Sequence, residues 1–230
     1  MDILIVTDGF ESLKSFIGKL ILVENLGSNY ARFKYNDCQL DILISGLGSS
    51  MATYELTKAV NSHDYDLIVH IGKCFSLKDQ IETENFVCII DDYFGDLGFG
   101  VGSEFGSLFD LKIRKKNELP FKDEILENHF ILPDLFQQFR KVSGITCNSI
   151  PSKLNDISNS YFKNYPDVIS MEAANVLYVC LKENVKLIQW YYVVDRIENS
   201  RSNFSTSEKM SNGITENLEL FLSEMKLQVN

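Results

Sequence analysis

The chain has 230 residues, 45% of them hydrophobic and 23% charged, with a formal net charge of −10 and a pI near 4.8. That is ordinary globular composition, with enough chain for one sizeable core, and a single domain over 1–230 is the expectation. The acidic balance argues against a general nucleic-acid binder, which needs a basic face, and leaves a small polar ligand open. The one basic cluster, Lys112-Ile113-Arg114-Lys115-Lys116, is followed by acids and reads as a solvated loop. No apolar run reaches the roughly 18 residues of a membrane span, and the start, "MDILIVTDGFE", lacks a basic leader, so neither membrane nor secretion is expected. Five cysteines, at 38, 74, 88, 147 and 180, have no metal-type spacing. An odd count of this kind fits a reducing cytoplasm.

In chain order, continuous apolar runs at 2–6, 40–45, 66–72, 86–90 and 187–194 read as buried strands, and 29–37 as a partly exposed hairpin strand. Helical patterns occupy 11–20, 50–61, about 153–164, 170–183 and 206–226. Strands alternating with helices predict an α/β fold, a three-layer domain with a central mixed sheet flanked by helices. The Gly- and Phe-rich stretch 95–120 reads as a loop near a site or interface. The aromatic segment 93–109 would serve an interface, cap a pocket, or simply pack as a loop.

Five residues bear on chemistry. Glu172 opens the run "VISMEAANVLYVCLKENV", a helix apolar almost all round and therefore buried. A first-turn acid stabilises a helix by roughly 0.3–1 kcal/mol. At the inner end of a buried helix it also needs partners, and a ligand could supply them. Gly46 and Gly48 end a strand just before a helix, where the backbone can turn sharply and approach a ligand; the segment lacks the third glycine of a dinucleotide fingerprint. His70 lies inside a strand that runs to Gly72, a place for a hydrogen-bonded core histidine more than for a base. Asp195 stands at a strand's carboxyl end, where open α/β sheets bind ligands; it reads equally as a general acid or as a turn residue.

Taken together and in order, "ISGLGSSMATYELTKAV", "LIVHIGKCFSL", "IIDDYFGDLGF", "GITCNSI", "VISMEAANVLYVC" and "LIQWYYVVDR" resemble the nucleoside phosphorylase/nucleosidase superfamily over nearly the whole chain. Within it they are most similar to futalosine hydrolase-like members of the menaquinone pathway and to methylthioadenosine/S-adenosylhomocysteine nucleosidases. The resemblance implies hydrolysis of the N-glycosidic bond of a 5′-modified purine nucleoside without metal or organic cofactor, in a homodimer or higher homo-oligomer. It implies that Met171 packs under the sugar and that Glu172 accepts hydrogen bonds from the ribose hydroxyls. Asp195 would protonate the purine, and Glu11, to within one residue, would position the attacking water. Gly46 and Gly48 would form the backbone turn near that water or near the 5′ side.

The chain also departs from the pattern. Phe75 replaces a pocket glycine at the end of the His70–Gly72 strand, Tyr191 an arginine and Val194 a serine; Glu84-Asn85 stands for Gly-Asp, and Ala173-Ala174 is a mild change. These departures make a catalytically weak relative that only binds a nucleoside or a protein the main alternative. A phosphate-dependent phosphorylase, with Arg196 and Arg201 as cations, is a third.

Overall fold

The computed structural model describes residues 2–36, 38–100, 102–151, 166–199 and 205–227. The elements run β1 (Ile3–Thr7), α1 (Phe10–Ile17), β2 (Ile21–Gly27), β3 (Tyr30–Tyr35), β4 (Cys38–Ile44), α2 (Ser49–Ser62), β5 (Leu67–Ser76) and β6 (Asn85–Asp92). After these come β7 (Gly98–Phe99), β8 (Gly106–Ser107), β9 (Leu126–Glu127), α3 (Asp134–Gln137), β10 (Arg140–Thr146), β11 (Val168–Ser170), α4 (Ala173–Glu183), β12 (Lys186–Arg196) and α5 (Glu208–Leu227). The helix expected near 153–164 lies outside the described residues.

Ten strands form one mixed sheet in the order β11-β10-β6-β12-β5-β1-β4-β3-β2, with β9 on β6. The centre is parallel: β1 pairs with β4 and β5, and β12 with β5. β11 pairs parallel with β10 and also antiparallel with the end of β5, so that half of the sheet curls back on itself.

The strand period of two sorts the core. On β1, Ile3 and Ile5 join Leu13 and Phe16 of α1 and Met210, Ile214 and Leu218 of α5. Leu4 and Val6 face the other way, onto Ala52 and Leu56 of α2 and Ala174 and Leu177 of α4. Two helix layers thus cover the sheet, as the alternating pattern predicted. Every residue of β5 is buried, which explains why its sequence reads as a continuous apolar run. Among the described residues, no helix is long and apolar enough to cross a membrane.

Candidate active site

The carboxyl ends of β1, β4, β5, β11 and β12 converge, and each delivers polar groups. β1 runs into Asp8, and β4 into Ser45, Gly46 and Gly48. Gly46 and Gly48 have φ of 80° and 100°, a region that favours glycine, and they turn the chain sharply into α2. β11 ends in Ser170, and Met171 and Glu172 bridge it to α4.

The start of α4 is held by side chains. The Ala173 N–H donates to Ser170 Oγ (3.2 Å), and the Ala174 N–H donates to Thr146 Oγ1 (2.8 Å). Thr146 Oγ1 in turn donates to Asp92 Oδ1 (3.1 Å). Ser49 Oγ donates to the Met171 carbonyl (3.1 Å), tying α2 to the same turn. Two of the helix-end amides are thus held by side chains other than Glu172, whose carboxyl makes no capping hydrogen bond.

Glu172 is 1% exposed, and among the described residues neither carboxyl oxygen has a hydrogen-bond partner. Burial pushes its pKa up to about 8, and the negative charge of Asp8 adds to the shift; the nearby Gly48 amide and the Lys73 charge oppose it. A buried carboxyl group without partners is costly, and here it sits at the strand ends, where a ligand can satisfy it.

Around it lie further groups, of which Lys73, Asp8 and Asp92 were not singled out by the sequence. Lys73 Nζ and Asp8 Oδ2 form an ion pair of 3.0 Å, buried on both sides. Asp92 is fully buried, and burial raises its pKa well above the usual carboxylate range. Tyr191 is also fully buried, with its hydroxyl 3.2 Å from His70 Nδ1. Burial lowers the pKa of His70 to about 3, so it is the neutral core histidine that its place in a strand implied. A lysine amid the apolar "LIVHIGKCFSL" was the available signal for Lys73, since a lysine inside a buried strand needs a partner.

The remaining expected residues divide. Asp195 sits half-buried at the end of β12, where Oδ1 accepts from the Arg196 N–H (2.7 Å) and Asn199 Nδ2 (3.0 Å). It pairs in register with Phe75, across a local irregularity after Val193. Phe75 is buried in a cluster with Tyr93, Ile145, Cys147, Ile169 and Ile197, against which Val194 packs. Met171 is half-buried and Gly72 fully buried.

Glu11 lies on the first turn of α1 with its side chain 68% exposed and paired with Lys14. The buried acid of this segment is Asp8. Arg196 is paired with Asp79, and Arg201 lies outside the described residues.

An open groove of about 750 Å³ follows α2 and is lined by Ser49, Thr53, Tyr54, Lys58, Asn61 and Asn175 among others. It approaches the Met171–Glu172 turn through Ser49, but Asp8, Lys73, Glu172 and Asp195 do not line it.

No family model matches the chain, and no curated protein sequence does. Solved structures do match. Futalosine hydrolase of Helicobacter pylori superimposes with a TM-score of 0.75 at 14% identity, over 97% of this chain and 98% of that one. The fold is that of the nucleosidases. The methylthioadenosine/S-adenosylhomocysteine nucleosidase of H. pylori, bound to a pyrrolopyrimidine-bearing pyrrolidinol, gives 0.79 at 15% identity over 97% and 98%. That of S. pneumoniae, with a transition-state inhibitor, gives 0.66 at 14% over 94% and 93%. Identities this low speak to the nucleosidase fold and leave the chemistry to the residues.

Proposed function

We propose that this chain binds a nucleoside at the Glu172 end of α4 and hydrolyses its N-glycosidic bond. The carrying observation is the buried Glu172 carboxyl, which has no hydrogen-bonding partner among the described residues and stands at the same strand ends as Asp195. A vicinal diol offers two O–H donors, and two carboxylate oxygens accept them. Binding the diol would draw Glu172 into its ionised form and place negative charge under the anomeric carbon, where positive charge grows in the transition state. Met171 would pack against the sugar.

In the reaction, the bond from the anomeric carbon to the base nitrogen breaks, and its electron pair leaves with the base. Asp195 donates a proton to that base. Water supplies the new bond to carbon and gives up a proton, which Asp8, buried within electrostatic reach of Glu172, would accept. Futalosine and methylthioadenosine, the 5′-modified purine nucleosides after which the structural neighbours are named, are the first compounds to test. The working unit in this reading is a homo-oligomer.

A second reading is favoured by a separate observation: the side chains of Phe75 and Tyr191 are completely buried where the resemblance places pocket residues. A site filled in this way would keep the fold for binding and lose turnover.

One assay separates the readings. Purified protein and an Asp195→Asn variant are incubated with futalosine, methylthioadenosine, S-adenosylhomocysteine, adenosine and inosine, with and without phosphate, and released base is measured. Phosphate-independent release that falls at least 100-fold in the variant supports the hydrolase. Ligand-induced thermal stabilisation with no release supports the binder, and release that requires phosphate points to phosphorolysis.

A further inference from the structure

We propose that Thr146 is a positioning residue that caps α4 in place of Glu172 and so keeps the Glu172 carboxyl free for the ligand. The inference rests on the nucleosidase reading for the ligand and deepens it. Glu172 occupies the N-cap position of α4, and its own carbonyl accepts from the Val176 N–H (3.0 Å). An N-cap side chain ordinarily folds back to accept from the second or third amide of its helix. The second amide here is that of Ala174, and it donates instead to Thr146 Oγ1 at 2.8 Å, from 28 residues away in sequence. The first, that of Ala173, donates to Ser170 Oγ (3.2 Å). Two strand ends thus hold amides at the start of the helix, and the Glu172 side chain makes no cap hydrogen bond.

The Thr146 hydroxyl is oriented for this task. Thr146 and Ser170 pair in register at the ends of β10 and β11, and Asp92 closes β6, the strand on the other side of β10. All three are buried. A hydroxyl has one proton to give and two lone pairs to accept with. Thr146 gives its proton to Asp92 Oδ1 (3.1 Å), which leaves the lone pairs for the Ala174 N–H and for the Ser170 hydroxyl (3.3 Å). Asp92 therefore fixes Thr146 as an acceptor toward the helix. Gly144 makes room for that carboxyl, since a Cβ there would overlap Asp92 Oδ2. A helix that needed only a cap could have used Glu172 itself. Instead the ends of β6, β10 and β11 are committed to its amides, and the Glu172 carboxyl is buried with no partner among the described residues.

The experiment follows the Glu172 carboxyl and the Ala174 amide by NMR across pH in the ligand-free parent, Thr146→Val and Thr146→Ser. Valine keeps the shape and removes the acceptor, whereas serine keeps the acceptor. Should Thr146→Val fail to fold, Thr146→Ala removes the same acceptor without placing a methyl group against Asp92. The groups that act on Glu172 are Asp8 beyond β1, Lys73 and Cys74 of β5, Asp92 of β6, Tyr191 of β12 and the Gly48 amide before α2, and both variants retain them all. In Thr146→Val the Glu172 carboxylate takes the freed Ala174 amide, and a hydrogen bond from an amide favours the charged form. The Glu172 midpoint is expected to fall by about one pH unit or more, with the Ala174 amide proton shifting at the same midpoint. Thr146→Ser should stay within about 0.3 unit of the parent. In the same proteins calorimetry compares inosine with 2′,3′-dideoxyinosine, which lacks the diol. A preference for inosine of about tenfold in the parent should be lost in Thr146→Val and kept in Thr146→Ser, whereas a merely structural defect weakens both ligands alike.

A Glu172 midpoint unchanged in the folded valine or alanine variant overturns the proposal, and so does an Ala174 amide proton that does not follow it. An equal fall in Thr146→Ser, or an inosine preference equal in all the proteins, overturns it as well. Both NMR signatures without binding of any nucleoside by the parent overturn the nucleosidase reading and uphold Thr146 as the cap.

Discussion

The ring of Tyr191 lies directly against the α-carbon of Gly72, so a methyl group added at Gly72 would overlap it. The two residues face each other across the parallel β5–β12 pair, in register. Glycine is needed at 72 because Tyr191 is large, not because the backbone is strained. Gly72→Ala is therefore expected to lower stability by about 1–3 kcal/mol, the usual cost of overpacking a core. Adding Tyr191→Leu should recover most of that loss, and urea denaturation of the four chains measures it. Additive effects would mean that the two side chains do not share the space.

Glu172 gives a pH-dependent prediction. Its folded-state pKa of about 8 stands above the ordinary 4.5, so the folded chain holds a proton that the unfolded chain releases. Stability contributed by this group is present below pH 4.5 and is lost as pH rises toward 8. By pH 7 the loss is on the order of 3 kcal/mol, at about 1.4 kcal/mol per pH unit. Glu172→Gln keeps the shape and removes the titration. Its melting temperature should exceed that of the parent by a margin that widens from pH 5 to pH 8, while ribose-dependent binding disappears. A constant margin would show that Glu172 does not titrate in this interval. A gain in stability on removal of a site residue is the expected signature of a group placed for a ligand.

His70 works in the opposite direction. Burial lowers its pKa from 6.5 to about 3, so the unfolded chain binds a proton below pH 6.5 that the folded chain refuses. Stability from the neutral ring is present above pH 6.5 and falls as pH drops toward 3. His70→Asn is expected to be less stable at neutral pH, having lost packing against Tyr191, yet flatter between pH 6.5 and 4. Parallel melting curves for both chains across that interval decide it, and equal acid slopes would mean that the ring is solvated.

Much of this architecture was legible as pattern. The apolar runs became β1, β4, β5, β6 and β12, and the alternating 29–37 segment became β3 of a hairpin, because burial on two faces or one writes itself directly into hydrophobic period. β2 was missed: Ile21, Leu22 and Val23 are apolar but exposed at the sheet edge, so their hydrophobicity did not report a core. β10 was missed for the reverse reason, since "RKVSGIT" carries charge at the end that emerges from the sheet. At the site, Glu172 could be picked out because an acid opening an apolar helix is a local contradiction. Asp8 and Lys73 could not be joined, because they are 65 residues apart and only the β1–β5 pairing brings them together. Glu11, on the first turn of α1 three residues after Asp8, points to solvent, and helix phase of this kind is hard to read from a single short segment.

The Asp8–Lys73 pair supports the last prediction. Both side chains are buried at 3.0 Å, and removing one partner leaves the other's charge in a medium that solvates it badly. Lys73→Met is expected to cost about 3–5 kcal/mol, and Asp8→Asn a similar amount. The double variant should be closer to the parent than the two losses added, because each change removes what makes the other harmful. Glu172 supplies an independent check. The Lys73 charge favours its ionised form, whereas the Asp8 charge opposes it. Lys73→Met should therefore move the Glu172 titration to higher pH, and Asp8→Asn should move it lower. Carbon-detected NMR of the Glu172 carboxyl reads both shifts. Movement of the same sign in the two variants would place the ion pair outside electrostatic reach of Glu172, and with it the assignment of Asp8 to the water.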